Sequence, residues 1–157
     1  MLRLSKKADY ALMAMKHLAA ETPDGTASAR EIAERYDIPL ELLAKVLQRL
    51  ARGGFLVSHK GIRGGYYLAR PANAISVLDL IQAIDGPLTI TACSSANERC
   101  DQFSKCNVRD PLWRIKDRIV SVLRMVSLSE ITHDDEVGLP LTVRRGEPGT
   151  RTPVEER

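Results

Sequence analysis

Aromatic residues are scarce: one Trp, two Phe and four Tyr make up 4% of the 157 residues. A core with so few rings must be built from Leu, Ile, Val, Ala and Met. Long apolar runs are missing as well, and none approaches the roughly 18–20 residues that a membrane-spanning helix needs. The opening Met1-Leu2-Arg3-Leu4-Ser5-Lys6-Lys7 meets Asp9 before any apolar stretch, unlike a secretory signal. A cytoplasmic chain with reduced thiols is expected. Only three cysteines occur, all between positions 93 and 106. An odd number confined to one stretch is not a disulfide framework. There is no phosphate loop, nucleophile elbow or two-histidine metal motif, so a hydrolase or transferase, and an enzyme generally, finds no support.

No charge dominates overall, with 23 Lys and Arg against 20 Asp and Glu, but the distribution is uneven. Residues 1–70 hold 12 basic and 7 acidic side chains, residues 71–132 hold 7 of each, and residues 133–157 hold 4 and 6. A basic first half on a neutral remainder is a footprint for a polyanion.

Ser5 opens a first helix with apolar residues at Tyr10, Leu12, Met13, Met15, Leu18 and Ala19. Ser28-Ala29-Arg30-Glu31 is a capping box that starts a short second helix bearing Ile32, Ala33 and Tyr36. After Asp37-Ile38-Pro39, a third helix carries Leu42, Leu43, Val46, Leu47 and Leu50 and stops at Gly53-Gly54. Phe55–Ser58 and Tyr66–Ala69, separated by Lys60-Gly61-Ile62-Arg63-Gly64-Gly65, predict a β-hairpin. Ser76 caps a fourth helix through Ile84. Asp110-Pro111 then predicts a fresh start, with Asp110 as N-cap, for a helix striped by Leu112, Ile115, Ile119, Val122, Leu123 and Val126. Nothing nearby is large enough to cover that stripe, so a second copy of the chain is the natural cover.

The expected fold is therefore mainly α with a small β-hairpin. A winged helix-turn-helix spans 1–86, a cysteine-bearing loop 87–109, a long dimerisation helix 110–132 and a disordered tail 133–157. In such an arrangement the third helix lies in the major groove of double-stranded DNA, which puts Glu41, Lys45, Gln48 and Arg49 toward the bases. Lys60 and Arg63 at the hairpin tip suit a minor groove or a phosphate, and Lys6 and Arg30 are flanking phosphate contacts. A charged helix face alone is commonly just solvated, and glycine-rich hairpins are common; both in this order on the basic half favour DNA.

Cys93, Cys100 and Cys106 offer three soft donors, which select zinc or an iron–sulfur cluster. Their wide gaps differ from the tight pairs of zinc modules and suit the larger group. Lys105 and Arg99 could offset its negative charge. A fourth ligand is open among Glu98, Asp101, Asn107, Asp9, His17, His59 and His133, although a lone His is ordinarily a surface or core residue. Two other classes stay open: a zinc-stabilised winged-helix DNA-binding protein without cluster sensing, and a ferredoxin-like electron carrier.

Further residues form a recognisable set: Arg3-Leu4-Ser5-Lys6 with Tyr10-Ala11, the Gly61-Ile62-Arg63-Gly64-Gly65-Tyr66 tip, Ser76-Val77, the three-cysteine loop, and Cys106-Asn107-Val108-Arg109 leading to Trp113. With them the chain, from about Leu2 to Ile131, resembles the dimeric winged-helix regulators that include IscR, NsrR and the SUF-system iron–sulfur assembly regulators, the last branch most of all. The resemblance implies a homodimer with crossed long helices, an iron–sulfur cluster in each loop and an imperfectly palindromic operator. One departure stands out: IscR-type members carry a ligating His three residues after the last Cys, where this chain has Arg109. The NsrR-like branch uses an Asp of the partner subunit's first helix, which corresponds to Asp9. That ligand set favours a 4Fe–4S over a 2Fe–2S cluster. The expected function is a DNA-binding transcriptional regulator, in the repressing sense, that senses iron–sulfur, redox or nitric oxide status.

Overall fold

The computed structural model describes residues 3–22, 25–61, 64–91 and 100–132. In chain order the elements are α1 (Lys6–Ala20), α2 (Ala29–Arg35), α3 (Leu40–Arg52), β1 (Leu56–His59), β2 (Gly65–Leu68), a 3-10 turn (Ala72–Ala74), α4 (Val77–Asp85), α5 (Arg109–Met125) and α6 (Leu128–Thr132). This is the expected mainly helical fold with one antiparallel hairpin.

α1 starts where Ser5 Oγ accepts the Ala8 N–H at 3.1 Å. Its inward face differs from the expected stripe: Ala8, Ala11, Ala14, Met15 and Leu18 are buried, while Tyr10, Leu12, Met13 and Ala19 pack half-exposed beside the core. Three alanines at this spacing let α1 lie close against α3 and α4, and the bulkier residues occupy its shoulders. His17 is buried, with Nδ1 3.1 Å from the Tyr36 hydroxyl, and is a core residue.

The capping box of α2 is complete. The Ser28 N–H donates to Glu31 Oε2 at 2.6 Å, and the Glu31 N–H donates to Ser28 Oγ at 3.2 Å. These bonds hold the Glu31 carboxyl below its usual range. α3 turns Leu43, Val46, Leu47 and Leu50 into the core. The hairpin pairs Leu56 with Leu68 and His59 with Gly65, one residue later than expected in β1. Phe55 is instead turned into the core, its N–H bonded to Leu50 O at 3.0 Å.

The hairpin docks onto the segment before α2. The Tyr66 N–H donates to Ala27 O at 2.8 Å, and the Ala27 N–H returns a bond to Tyr66 O at 3.1 Å. Gly65 makes this approach possible, since a Cβ there would lie 2.6 Å from Ala27 O. α4, capped by Ser76, buries Val77, Leu78, Leu80, Ile81 and Ile84. Its last residue, Asp85, accepts the Ser5 N–H at 3.0 Å and so ties the end of α4 to the start of α1.

The last third of the described chain departs from expectation in two ways. Asp110 is not the N-cap of α5: Val108 occupies that position without a side-chain cap bond, and Asp110 sits in the first turn. There Arg109 Nε donates to Asp110 Oδ1 at 2.7 Å and holds that carboxyl low in pKa. The second departure is that 110–132 is not one helix. α5 ends at Met125, and the chain turns back into the core. The Val77 N–H donates to Val126 O at 2.9 Å, the Leu128 N–H donates to Ile75 O at 2.8 Å, and Leu128 is fully buried. A second capping box starts α6, with the Ser127 N–H donating to Glu130 Oε1 at 2.9 Å. No described helix is long and apolar enough to cross a membrane. The tail expected at 133–157 lies outside the described residues.

Replacing Gly65 with Ala should cost about 1–3 kcal/mol of unfolding free energy in a urea melt, because the added methyl must push the hairpin off Ala27. An unchanged midpoint and slope would mean that the hairpin does not dock this closely.

Candidate nucleic-acid interface and cysteine loop

Burying the leucine face of α3 leaves Glu41, Lys45, Gln48 and Arg49 exposed along the opposite side. Lys6, in the first turn of α1, and Arg30, in the first turn of α2, are exposed too, as is Lys60 just beyond β1. Lys6, Arg30, Lys45 and Lys60 enter no ion pair among the described residues. Arg49 is different: its Nε donates to Ala83 O at 2.7 Å, which anchors α3 to the end of α4 while its remaining N–H groups stay at the surface. Arg63 lies outside the described residues.

The structure adds two cations to this surface. A groove of about 370 Å³ beside α3 is floored by Leu42, Val46 and Ile84 and rimmed by Lys7, Lys45, Arg49 and Arg52. Among the described residues no acidic side chain lines it. Lys45, Arg49 and Arg52 stand at i, i+4 and i+7, so one stripe of α3 is wholly cationic. That spacing was readable in the sequence; the arrival of Lys7 from α1 was not.

Cys100 and Cys106 are half-buried and not disulfide-bonded; Cys93 lies outside the described residues. Between the two, successive turns draw the chain together, with the Phe103 N–H donating to Cys100 O at 3.0 Å and the Lys105 N–H donating to Gln102 O at 2.9 Å. Arg109 fastens this segment to α5. Its Nη1 donates to Phe103 O at 3.1 Å, and its guanidinium lies 4.6 Å from the Phe103 ring centre and 5.6 Å from that of Trp113. The position that carries a His in IscR-type chains is therefore a clamp here.

The donors suit a thiophilic group. Two thiols share one short turned segment, and the Nε1 of Trp113, whose ring packs beside Phe103, is buried without a hydrogen-bond partner among the described residues. An unmatched buried donor costs about 1–3 kcal/mol, which a sulfur acceptor could recover. Among the described residues no three of His, Cys, Asp and Glu converge, so Asp9 does not meet Cys100 and Cys106 within one chain. Asp9 is half-buried on α1. Of the other fourth-ligand candidates, Asp101 and Asn107 are exposed, His17 belongs to the core and His59 ends β1; Glu98 and His133 lie outside the described residues.

α5 projects from the helical core with none of its 17 residues buried. Ile115, Val122 and Met125 are 47%, 56% and 73% exposed, which is an unusual state for large apolar side chains on one helix.

A three-helix core with a docked hairpin, a cationic exposed helix and a projecting helix define a winged helix-turn-helix transcriptional regulator. Comparison with known proteins agrees. The profile of the Rrf2 family, described as iron-dependent transcriptional regulators, matches residues 4–134, and the chain belongs to that family. The transcriptional regulator IscR of Xenorhabdus nematophila is 35% identical over 97% of this chain and 92% of its own length. IscR of Yersinia pseudotuberculosis is 34% identical over 87% of this chain and 82% of its own. Among solved structures, CymR, the global cysteine regulator of B. subtilis, superposes with a TM-score of 0.71 at 28% identity, covering 84% of this chain and 97% of CymR. T. potens IscR superposes with a TM-score of 0.66 at 29% identity, covering 86% and 89%. The chain is a DNA-binding regulator of transcription and not an enzyme.

Arg109→Ala should leave helix content unchanged and speed the reaction of Cys100 and Cys106 with a maleimide. Arg109→Lys should fall between, because an ammonium keeps the charge but not the planar stack. Equal labelling rates in all three proteins would rule out the clamp.

Proposed function

We propose that this regulator is a homodimeric repressor whose hold on DNA responds to an iron–sulfur cluster carried by its cysteine loop. The observation that carries the reading is the pair of half-buried free thiols on a turned segment clamped to the start of α5. The apolar face of α5 supplies the dimer contact. Cys93, Cys100 and Cys106 would hold the cluster, with Asp9 of the partner subunit completing the set. Three thiolates and a carboxylate suit a 4Fe–4S cluster. When bound, the cluster supplies a redox-active, charged centre that oxidants, nitric oxide or iron supply can alter.

The chain's own residues provide the path to DNA. Arg109 ties the loop to α5, and α5 leads through Val126 and Leu128 into the core that carries α1 and α4. Arg49 then links α4 to the exposed α3. Glu41, Lys45, Gln48 and Arg49 read the major groove, Lys60 and Arg63 reach the backbone or minor groove, and Lys6 and Arg30 hold phosphates. Two copies contact the half-sites of an imperfect palindrome in the cytoplasm. A coupling of about 1–3 kcal/mol between loop and DNA would be an ordinary allosteric magnitude.

Anaerobic purification should yield brown protein with iron and labile sulfide, and removing them should change operator affinity in a gel-shift titration. Colourless protein with stoichiometric zinc would support instead a zinc-stabilised DNA-binding protein without sensing. Asp9→Ala should make the cluster labile; unchanged spectra and lifetime would remove Asp9 from the ligand set. Lys6→Ala should weaken DNA binding about equally across sequences and reduce the salt slope by about one, and an unaltered slope would place Lys6 off the phosphates.

A further inference from the structure

The chain has a single tryptophan, and it stands one helical turn beyond Arg109. Side chains on a helix lean toward its N-terminus, so Trp113 lies over the first turn of α5, on the side where the cysteine segment arrives. Phe103 confirms this placement: its ring centre is 6.3 Å from that of Trp113, and Phe103 sits midway between Cys100 and Cys106. The Trp113 Nε1 is nevertheless buried without a partner among the described residues. Four nearby backbone carbonyls already accept one bond each. The carbonyls of Cys100, Gln102, Phe103 and Val108 take bonds from Phe103, Lys105, Arg109 and Leu112 respectively. The thiols of Cys100 and Cys106 are the soft acceptors left on the same segment.

Building on the cluster reading above, we propose that the Trp113 indole N–H donates a hydrogen bond to the sulfur of Cys100 or Cys106 when the cluster is loaded. Trp113 is then a positioning residue. Its N–H stabilises negative charge on sulfur, so it favours the reduced state and slows loss of the metal. Phe103 and Arg109 hold the indole in place by packing on its ring. The aromatic poverty of the chain adds weight: two of its seven rings are spent on this spot.

The test uses the full chain, purified and reconstituted without oxygen. Trp113→Phe removes the N–H. Replacing the single tryptophan by benzothienylalanine removes it while keeping the bicyclic shape, and it decides the matter should the Phe variant fold poorly. Both should load iron and sulfide as wild type does, lose them to a chelator about tenfold faster, and show a lower midpoint potential. Loaded variants with wild-type loss rate and potential would overturn the role of Trp113 and leave the cluster reading intact. Wild-type protein that takes up neither iron nor sulfide would instead overturn the cluster reading, and this proposal with it.

Discussion

The structure depends on how α5 is held at its two ends. A helix of this length that buries none of its residues gains little from the core and is marginal in isolation. At its start, Arg109 joins it to the cysteine segment through the Phe103 carbonyl and two aromatic rings. At its end, backbone bonds from Val77 to Val126 and from Leu128 to Ile75 stitch the chain back beside the start of α4. The cysteine segment and the helical core thus sit at opposite ends of one helix.

Polar contacts at the surface of that core also run between its elements. Asp85 binds the backbone of Ser5, and Arg49 binds the backbone of Ala83. Both join α4 to another helix, α1 or α3. Most surface ion pairs in the described chain are solvent-exposed and worth little. The bonds from Ser5 and Arg49 have one backbone partner each, so they lose less side-chain entropy than a pair of long charged residues would.

The position three residues after Cys106 shows how one substitution can change a site's chemistry without dissolving its architecture. A guanidinium is always charged and cannot ligate iron, but its planar fork suits a carbonyl, a carboxylate and two ring faces at once. Arg109 engages all four. The segment around Phe103 is thus held to α5 by packing and hydrogen bonds from the protein itself.

Local signals were well preserved from sequence to structure. Ser5, Ser28 and Ser76 cap helices as their hydroxyls require, and the leucines of α3 form its inner face, because capping and helical periodicity act within one or two turns. The chain order of helices, hairpin and cysteine stretch was equally legible. The inner face of α1 was not, since which side of a helix is buried depends on partners distant in sequence. Nor was the break after Met125: the helix expected over 110–132 runs through Ser127 and Glu130, whose capping box and the docking of Leu128 against the core set the stop. Gathering Lys7 beside Arg52, and Phe103 against Arg109 and Trp113, belongs to tertiary structure alone, because such contacts are made by chain paths that no local pattern encodes.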